Sequence, residues 1–190
     1  HEKKLGLYFI GRIGTDLPFN LYLTKPIKTA DLRGFNIRVS PMYLQLVKGL
    51  GGNPVVIPPT EVYTALERKV VDGYGWPAFG IREWSWEKYT KYIVMPGFYS
   101  GPHPMVMNLK VWNGLSQKFK DVINQAAMEA EKKTVALYEE LGKKEIPLLK
   151  QAGLQVIDLP PAEKEKFLKV ADDEGWKDVL AKCPETGPKL

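Results

Sequence analysis

Arg38 is the residue of this chain around which binding chemistry can be built. It stands between Ile37 and Val39 in a stretch, Phe35 to Val39, that reads as a short buried strand. A guanidinium there is costly unless an anion meets it. In open α/β sheets, ligands gather at the carboxyl ends of the strands. Ser40-Pro41 follows directly and reads as a helix start, with Ser as cap and Pro at the first position. Backbone N–H groups at such a start attract anions. Two partners therefore fit Arg38, a ligand carboxylate and a structural Asp or Glu, and the residues alone leave both open.

Three further groups sit where chemistry is expected. Val70 to Gly73 reads as a strand end leading into Tyr74-Gly75-Trp76-Pro77; by the same sheet-edge logic this turn lies near Arg38. Tyr74 and Trp76 are thus candidate ligand contacts, and core filling is the other reading of Trp76. The run Pro96 to Pro104, which holds Tyr99, is rich in Gly, Pro and aromatic residues and suits a hinge or cleft rim. Glu83 to Tyr89 places aromatics at spacings that suit one helix with two partly buried faces, a cation cage being the alternative.

Catalytic readings lack parts. There is no G-x-S-x-G elbow, P-loop or G-x-G-x-x-G helix opening. The histidines are His1 and His103 and the one cysteine is Cys183, so Ser–His and Cys–His pairs are incomplete. His103 has no second ligand at metal spacing. Asp72 and Glu61 are the acid/base couple left to consider. The expectation is a binding protein with no catalytic residues, no cofactor and no metal.

The elements that must position Arg38 follow from periodicity and breakers. Strands are expected at Leu5–Ile10, Leu21–Thr24, Pro54–Ile57, Tyr92–Met95, Met105–Leu109 and Leu154–Ile157, with a turn at Asp16-Leu17-Pro18. Thr29 is expected to cap a single helical turn, Ala30 to Arg33, closed by Gly34. The helix after Ser40 carries Tyr43, Leu44, Val47 and Leu50 inward and stops at Gly51-Gly52. Thr60 is expected to cap the next, with Val62, Tyr63, Leu66 and the stem of Arg68 facing inward. Ser116 starts the longest helix, where Phe119, Val122, Ile123, Ala126, Ala127, Ala130, Thr134, Leu137, Tyr138 and Leu141 keep a three-four rhythm. Gly142 and Pro147 should weaken or kink it. A last helix runs from Pro160 or Pro161 toward Cys183, with Phe167, Leu168, Ala171 and Trp176 inward, and the tail from Pro184 has no pattern.

Several of these blocks stand in one order that resembles the solute-binding proteins of tripartite ATP-independent periplasmic (TRAP) transporters. They are Asp31-Leu32-Arg33-Gly34 with Ile37-Arg38-Val39, Leu50-Gly51 with Pro54 and Pro58, Glu61-Val62-Tyr63 with Ala65-Leu66, and Val71-Asp72-Gly73. The likeness continues through Met107-Asn108 and Trp112-Asn113-Gly114-Leu115 into the long helix, covering most of the chain. It implies an α/β, periplasmic-binding-protein-like lobe with a mixed sheet flanked by helices, plus long C-terminal helices. Residues 1–110 are then mostly the second ligand-binding lobe with crossover strands. Residues 111–190 are a long helix, short strand and C-terminal helix bracing the lobes, and the N-terminal lobe is largely absent. Family members are exported and longer, so this chain is expected to be a C-terminal fragment of a periplasmic protein. The resemblance makes Asp72 and Glu61 structural and Arg38 the receptor of an organic acid, which is delivered to a membrane permease pair.

Two departures from the family pattern bear on the ligand. Trp76 stands where many members have an asparagine that bonds the ligand. Phe19 stands where several branches place a second arginine, before the segment that is here Pro26-Ile27, although Arg12 offers a substitute. Both departures imply a more apolar ligand than a small dicarboxylate or sialic acid. The ligand-binding set is thus Arg38, Trp76, Phe19, Tyr74 and Tyr99. A sensor or effector domain of similar fold is the alternative function.

Composition agrees with a globular binding module. The chain has 190 residues, room for one sizeable core or a core with an appendage. Its net charge of +5 comes from lysines set beside glutamates, as in Glu131-Lys132-Lys133 and Lys143-Lys144-Glu145. That is a solvated helix face, not a nucleic-acid patch. Cys183 alone allows no internal disulfide, and no apolar run reaches membrane-spanning length. Apolar surface bared by a missing lobe is expected to promote self-association.

Overall fold

A computed structural model describes residues 5–13, 18–101 and 103–189. In chain order it holds β1 (Leu7–Ile13), β2 (Pro18–Leu23), β3 (Asn36–Val39), a 3-10 turn (Pro41–Tyr43) running into α1 (Leu44–Gly49), β4 (Asn53–Val56), α2 (Pro59–Glu67) and β5 (Gly73–Pro77). A 3-10 turn (Trp86–Lys88), β6 (Tyr92–Ser100), β7 (His103–Asn108), α3 (Leu109–Gly114), α4 (Gln117–Gln151), β8 (Gln155–Asp158) and α5 (Pro161–Lys182) follow. The turn expected at Asp16-Leu17 lies outside the described residues. Two compact units result, one built on residues 18–99 with 145–189 and the other on residues 5–13 with 100–144.

The larger unit is a six-stranded sheet in the order β4-β3-β5-β2-β6-β8. β3 runs parallel to β4 and β5, β2 antiparallel to β5, and β6 parallel to β8. Strand alternation sorts the side chains between two cores. On one face Leu21, Leu23, Ile37 and Val39 pack with Leu46 and Val47 of α1 and Phe167 of α5. On the other, Tyr22, Tyr74 and Ile93 pack with Val62, Ala65 and Leu66 of α2, and with Trp86 and Leu149. The connection leaving β3 through α1 therefore covers one face, and the one leaving β5 through Ile81 and Trp86 covers the other. Adjacent parallel strands whose connections part this way form a topological switch point, with a crevice at their carboxyl ends. Arg38 and Trp76 flank that point.

Several local expectations change. The segment Tyr74–Pro77 is itself strand: β5 begins at Gly73, where Val70–Gly73 was expected to end one. Gly73 is fixed there by crowding, since a Cβ would fall 2.4 Å from the Tyr22 carbonyl oxygen. The Pro96 run is not a loop as far as Ser100. Phe98 is buried against Tyr43 and Phe167, and Gly97 lets the strand pass close to Phe19. Glu83–Tyr89 is not one helix: Ser85 has a positive φ of 58°, which interrupts helical geometry, and only Trp86–Lys88 forms a 3-10 turn. Ala30–Arg33 is not a helical turn either. The Asp31 carboxylate accepts from the Arg33 N–H at 2.9 Å, an Asx-type turn that competes with helix.

The helices are corrected in smaller ways. Pro58, not Thr60, precedes α2, and Arg68 is exposed at its end. α4 continues through Gly142 and Pro147, with Glu145 and Leu149 buried on either side of the proline. In α5, Phe167 is wholly buried, whereas Leu168 and Trp176 are each 42% exposed. That rotation lets Val170 and Glu174 close on Gly49 of α1.

The smaller unit pairs β1 antiparallel with β7, and Tyr8 stacks on Trp112 at 3.8 Å. Along α4 the expected rhythm is only partly buried: Ala127 is covered, while Phe119, Val122 and Leu137 are exposed. Two strands offer little area for a helix face to cover.

Candidate functional site

Arg38 is the next-to-last residue of β3, set between the buried Ile37 and Val39, and is 5% exposed. Its Nε donates to the Ile57 carbonyl oxygen at 3.0 Å, and its Nη1 donates to the Tyr43 hydroxyl at 3.2 Å. Tyr43 in turn donates to the Gly75 carbonyl oxygen at 2.7 Å. Burial pushes the Tyr43 phenol up, against the pull of the Arg38 charge, so it stays protonated and can hold both bonds. Among the described residues Arg38 forms no ion pair. Nη2 has no hydrogen bond among the described residues either, so part of the fork is available. The structural Asp or Glu that would have explained Arg38 is therefore not there among these residues.

The expected help from a helix N-terminus does not materialise. The chain after Ser40 first makes a 3-10 turn, closed by the Tyr43 N–H on the Ser40 carbonyl oxygen, and α1 is only six residues long.

Trp76 is half-buried on β5, with its ring centroid 5.6 Å from the Arg38 Cζ. Its ring meets that of Trp86 at 4.7 Å and 72°. Tyr74 lies next to Arg38 in the β3–β5 register but is 1% exposed. Its hydroxyl is 2.6 Å from Thr90 Oγ1, its ring stacks on Tyr22, and burial holds its pKa well above the usual phenol value. Tyr74 is core. Phe19 packs edge-on against Tyr99 at 5.5 Å and tilts toward Tyr43 at 6.1 Å. It alternates with Leu21 and Leu23, which puts it on the opposite sheet face from Trp76.

Arg38, Tyr43 and Trp76 are thus brought together, and Phe19 and Tyr99 join through Tyr43. Tyr43 was legible only as a helix core position. The signal for it was Gly75, whose absent side chain leaves room for a ring. The Ile57 carbonyl had no signal, since every residue carries one. The Arg12 Nε donates to Glu131 at 2.7 Å within the smaller unit. Asp72 accepts from the Asn36 N–H and pairs with Lys25 at 3.0 Å, a structural role. Among the described residues no three potential metal ligands cluster.

Gly75 gives a direct check on this geometry. A Cβ there would lie 2.6 Å from Tyr43 Cε2 and 3.1 Å from Phe98. Gly75→Ala is expected to cost about 2 kcal/mol by overpacking and to dislodge the Tyr43 hydroxyl from Arg38. Thermal unfolding and ligand titration should therefore both suffer. An unaltered melting curve would show that Tyr43 does not sit over Gly75.

A mixed α/β sheet with a buried guanidinium at the switch point of its parallel strands defines a small-molecule binding module of the periplasmic-binding-protein kind. The chain belongs to the bacterial extracellular solute-binding proteins of family 7, the DctP family, which it matches over residues 19–182. It is 33% identical over 135 residues to the 2,3-diketo-L-gulonate-binding periplasmic protein YiaO of Escherichia coli, covering 70% of this chain and 41% of that protein. It is 26% identical over 170 residues to the monocarboxylate 2-oxoacid-binding periplasmic protein all3028 of a Nostoc species, covering 85% and 46%. A TRAP periplasmic solute-binding protein from Desulfovibrio salexigens, solved with bound orotic acid, superposes with a TM-score of 0.88 at 25% identity, covering 99% of this chain and 61% of that one. The chain thus spans less than half the length of the two curated relatives. Among the described residues no helix is long and apolar enough to cross a membrane.

Proposed function

We propose that the protein carrying this chain is an extracytoplasmic receptor that captures an organic acid and delivers it to a TRAP-type secondary transporter. The carrying observation is Arg38, a buried cation with no anionic partner among the described residues and unused N–H donors at a switch-point crevice. A carboxylate arriving there supplies the missing charge and accepts a charge-assisted hydrogen bond. The printed ligands of the relatives and of the superposed structure, a diketo sugar acid, 2-oxoacids and orotic acid, share a carboxylate, which supports the reading.

This chain supplies the lobe that carries Arg38 together with the C-terminal helices, and an N-terminal lobe outside it supplies the other wall. A ligand drives closure by binding the closed state better than the open one, and a carboxylate gripped from both walls provides that difference. The closed form docks on the membrane permease subunits. The receptor binds without catalysis and works outside the cytoplasm.

Mass spectrometry of the natively purified full-length protein tests the function. An organic acid should co-purify with it and be missing from the Arg38→Met variant. Recovery of a neutral or cationic ligand would overturn the proposal.

The isolated chain gives a second test. Phe9 and Val106 are opposite each other in the β1–β7 register and about half exposed, and Phe119 and Val122 are bare as well. The chain alone should self-associate and bind the acid weakly. Light scattering should find species above the 21.5 kDa chain mass. A monomer that binds with micromolar affinity would contradict the need for a second lobe.

A further inference from the structure

Among the described residues, several polar groups of the strands beside the crevice are used internally. Asn20 stands opposite Trp76 in the β2–β5 register, but it is buried and its amide donates to the Val94 carbonyl oxygen at 3.0 Å. Tyr22 donates to the Pro77 carbonyl oxygen at 3.0 Å. Tyr43 bridges Arg38 and Gly75, and Tyr74 is tied to Thr90. What the strand ends leave available is the open part of the Arg38 fork, the half-buried indole of Trp76 and the half-buried ring of Tyr99.

A polyhydroxylated acid would need neutral donors and acceptors here to replace its lost water, and unpaired hydroxyls are heavily penalised on burial. A flat apolar body needs none. Trp76 offers it a half-buried indole that meets Trp86 edge-to-face at 4.7 Å and has the Arg38 guanidinium beside it. Among the described residues the indole N–H makes no hydrogen bond, and a Cβ on Gly80, whose φ is +101°, would lie 3.2 Å from the indole nitrogen and 4.0 Å from Glu83 Oε2. One acceptor at the rim of a ring would satisfy that N–H. Phe19 contributes nothing to this surface, because it faces the other side of the sheet.

Resting on the carboxylate reading above, we infer that the ligand is a monocarboxylic acid with a flat aromatic or conjugated body, its carboxylate on Arg38 and its ring on Trp76. Arg38 Cζ lies 5.6 Å from the indole centroid, so a carboxylate held by the guanidinium brings the rest of the acid close to the indole. Trp76 is then the residue that sets specificity, and Arg38 the one that sets charge.

The test is calorimetry on the full-length protein with four probes: benzoate, phenylacetate, succinate and D-gluconate. The wild type should bind one of the aromatic acids about tenfold or more tighter than succinate and gluconate. Trp76→Asn should erase that preference, and Trp76→Phe, which keeps an aromatic face, should retain most of it. Melting curves of both ligand-free variants close to wild type show that the fold is intact. Succinate or gluconate binding best, or the same order of preference in Trp76→Asn, overturns the inference. If it is overturned while Arg38→Met still weakens binding of whichever acid wins by about a hundredfold or more, the receptor reading stands. If no acid of the four binds, the inference falls, and the receptor reading is decided by the acid that co-purifies with the full-length protein.

Discussion

Replacing Arg38 with methionine in the full-length protein is expected to weaken carboxylate binding by about a hundredfold or more while leaving the ligand-free melting temperature within about 2 °C of wild type. The loss of affinity follows from removing the charge and its charge-assisted hydrogen bonds, each worth about 1.5–3 kcal/mol. The near-neutral stability follows from two opposing terms. Methionine forfeits the bonds to Ile57 and Tyr43, at about 1.5–3 kcal/mol each because the donor is charged. It also removes a cation that is 5% exposed and has no acidic partner among the described residues, whose desolvation costs several kcal/mol. Arg38→Lys keeps the charge but not the fork, so affinity should fall by about tenfold or more. An arginine with a purely structural task would give the reverse: a lowered melting temperature and unchanged affinity.

The second large effect is expected at Arg82 and Glu145. Arg82 Nε and Nη2 donate to the Glu145 carboxylate at 2.9 to 3.1 Å, a forked pair in the larger unit. The side chain of Glu145 is only 6% exposed, whereas that of Arg82 is 43% exposed. The two partners are therefore unequal. Arg82→Ala strands a buried carboxylate, and unfolding by urea should show a loss of about 3 kcal/mol, at the low end for a broken buried pair because Arg82 is partly screened by water. Replacing both, Arg82→Met with Glu145→Leu, should recover most of that loss, since no charge is then left buried. The pair anchors the segment after β5, which carries Ile81 and Trp86 and so braces Trp76. Losses in Arg82→Ala that the double variant does not recover would mean the pair is not what holds this segment.

Arg38 was legible because a charge inside an apolar strand is anomalous whatever the fold. The strands around it were legible too, from short apolar runs punctuated by Gly and Pro, as at Gly51-Gly52 and Pro58. The side-chain directions on β5 were not. Reading the strand as ending at Gly73, when it begins there, leaves Tyr74 and Trp76 in a turn, and the pleat that sends Tyr74 into the core goes unseen. The opposite facing of Phe19 and Trp76 was hidden for the same reason: it depends on pairing between β2 and β5, which sequence spacing does not fix. Trp86 looked like one face of a helix. It became the hub of an aromatic cluster with Tyr74, Trp76 and Trp84 once Ser85 turned the chain. Backbone partners such as the Ile57 and Gly75 carbonyls have no residue signature at all.

The account stands or falls on whether Arg38 meets a carboxylate, and one calorimetric comparison decides it. The full-length protein is titrated with the acid that most raises its melting temperature and with that acid's primary amide, which keeps the shape and removes the charge. The account predicts binding of the amide about a hundredfold weaker in the wild type, and no acid–amide difference in Arg38→Met. Equal affinity for acid and amide in the wild type, or discrimination that persists without Arg38, would contradict it.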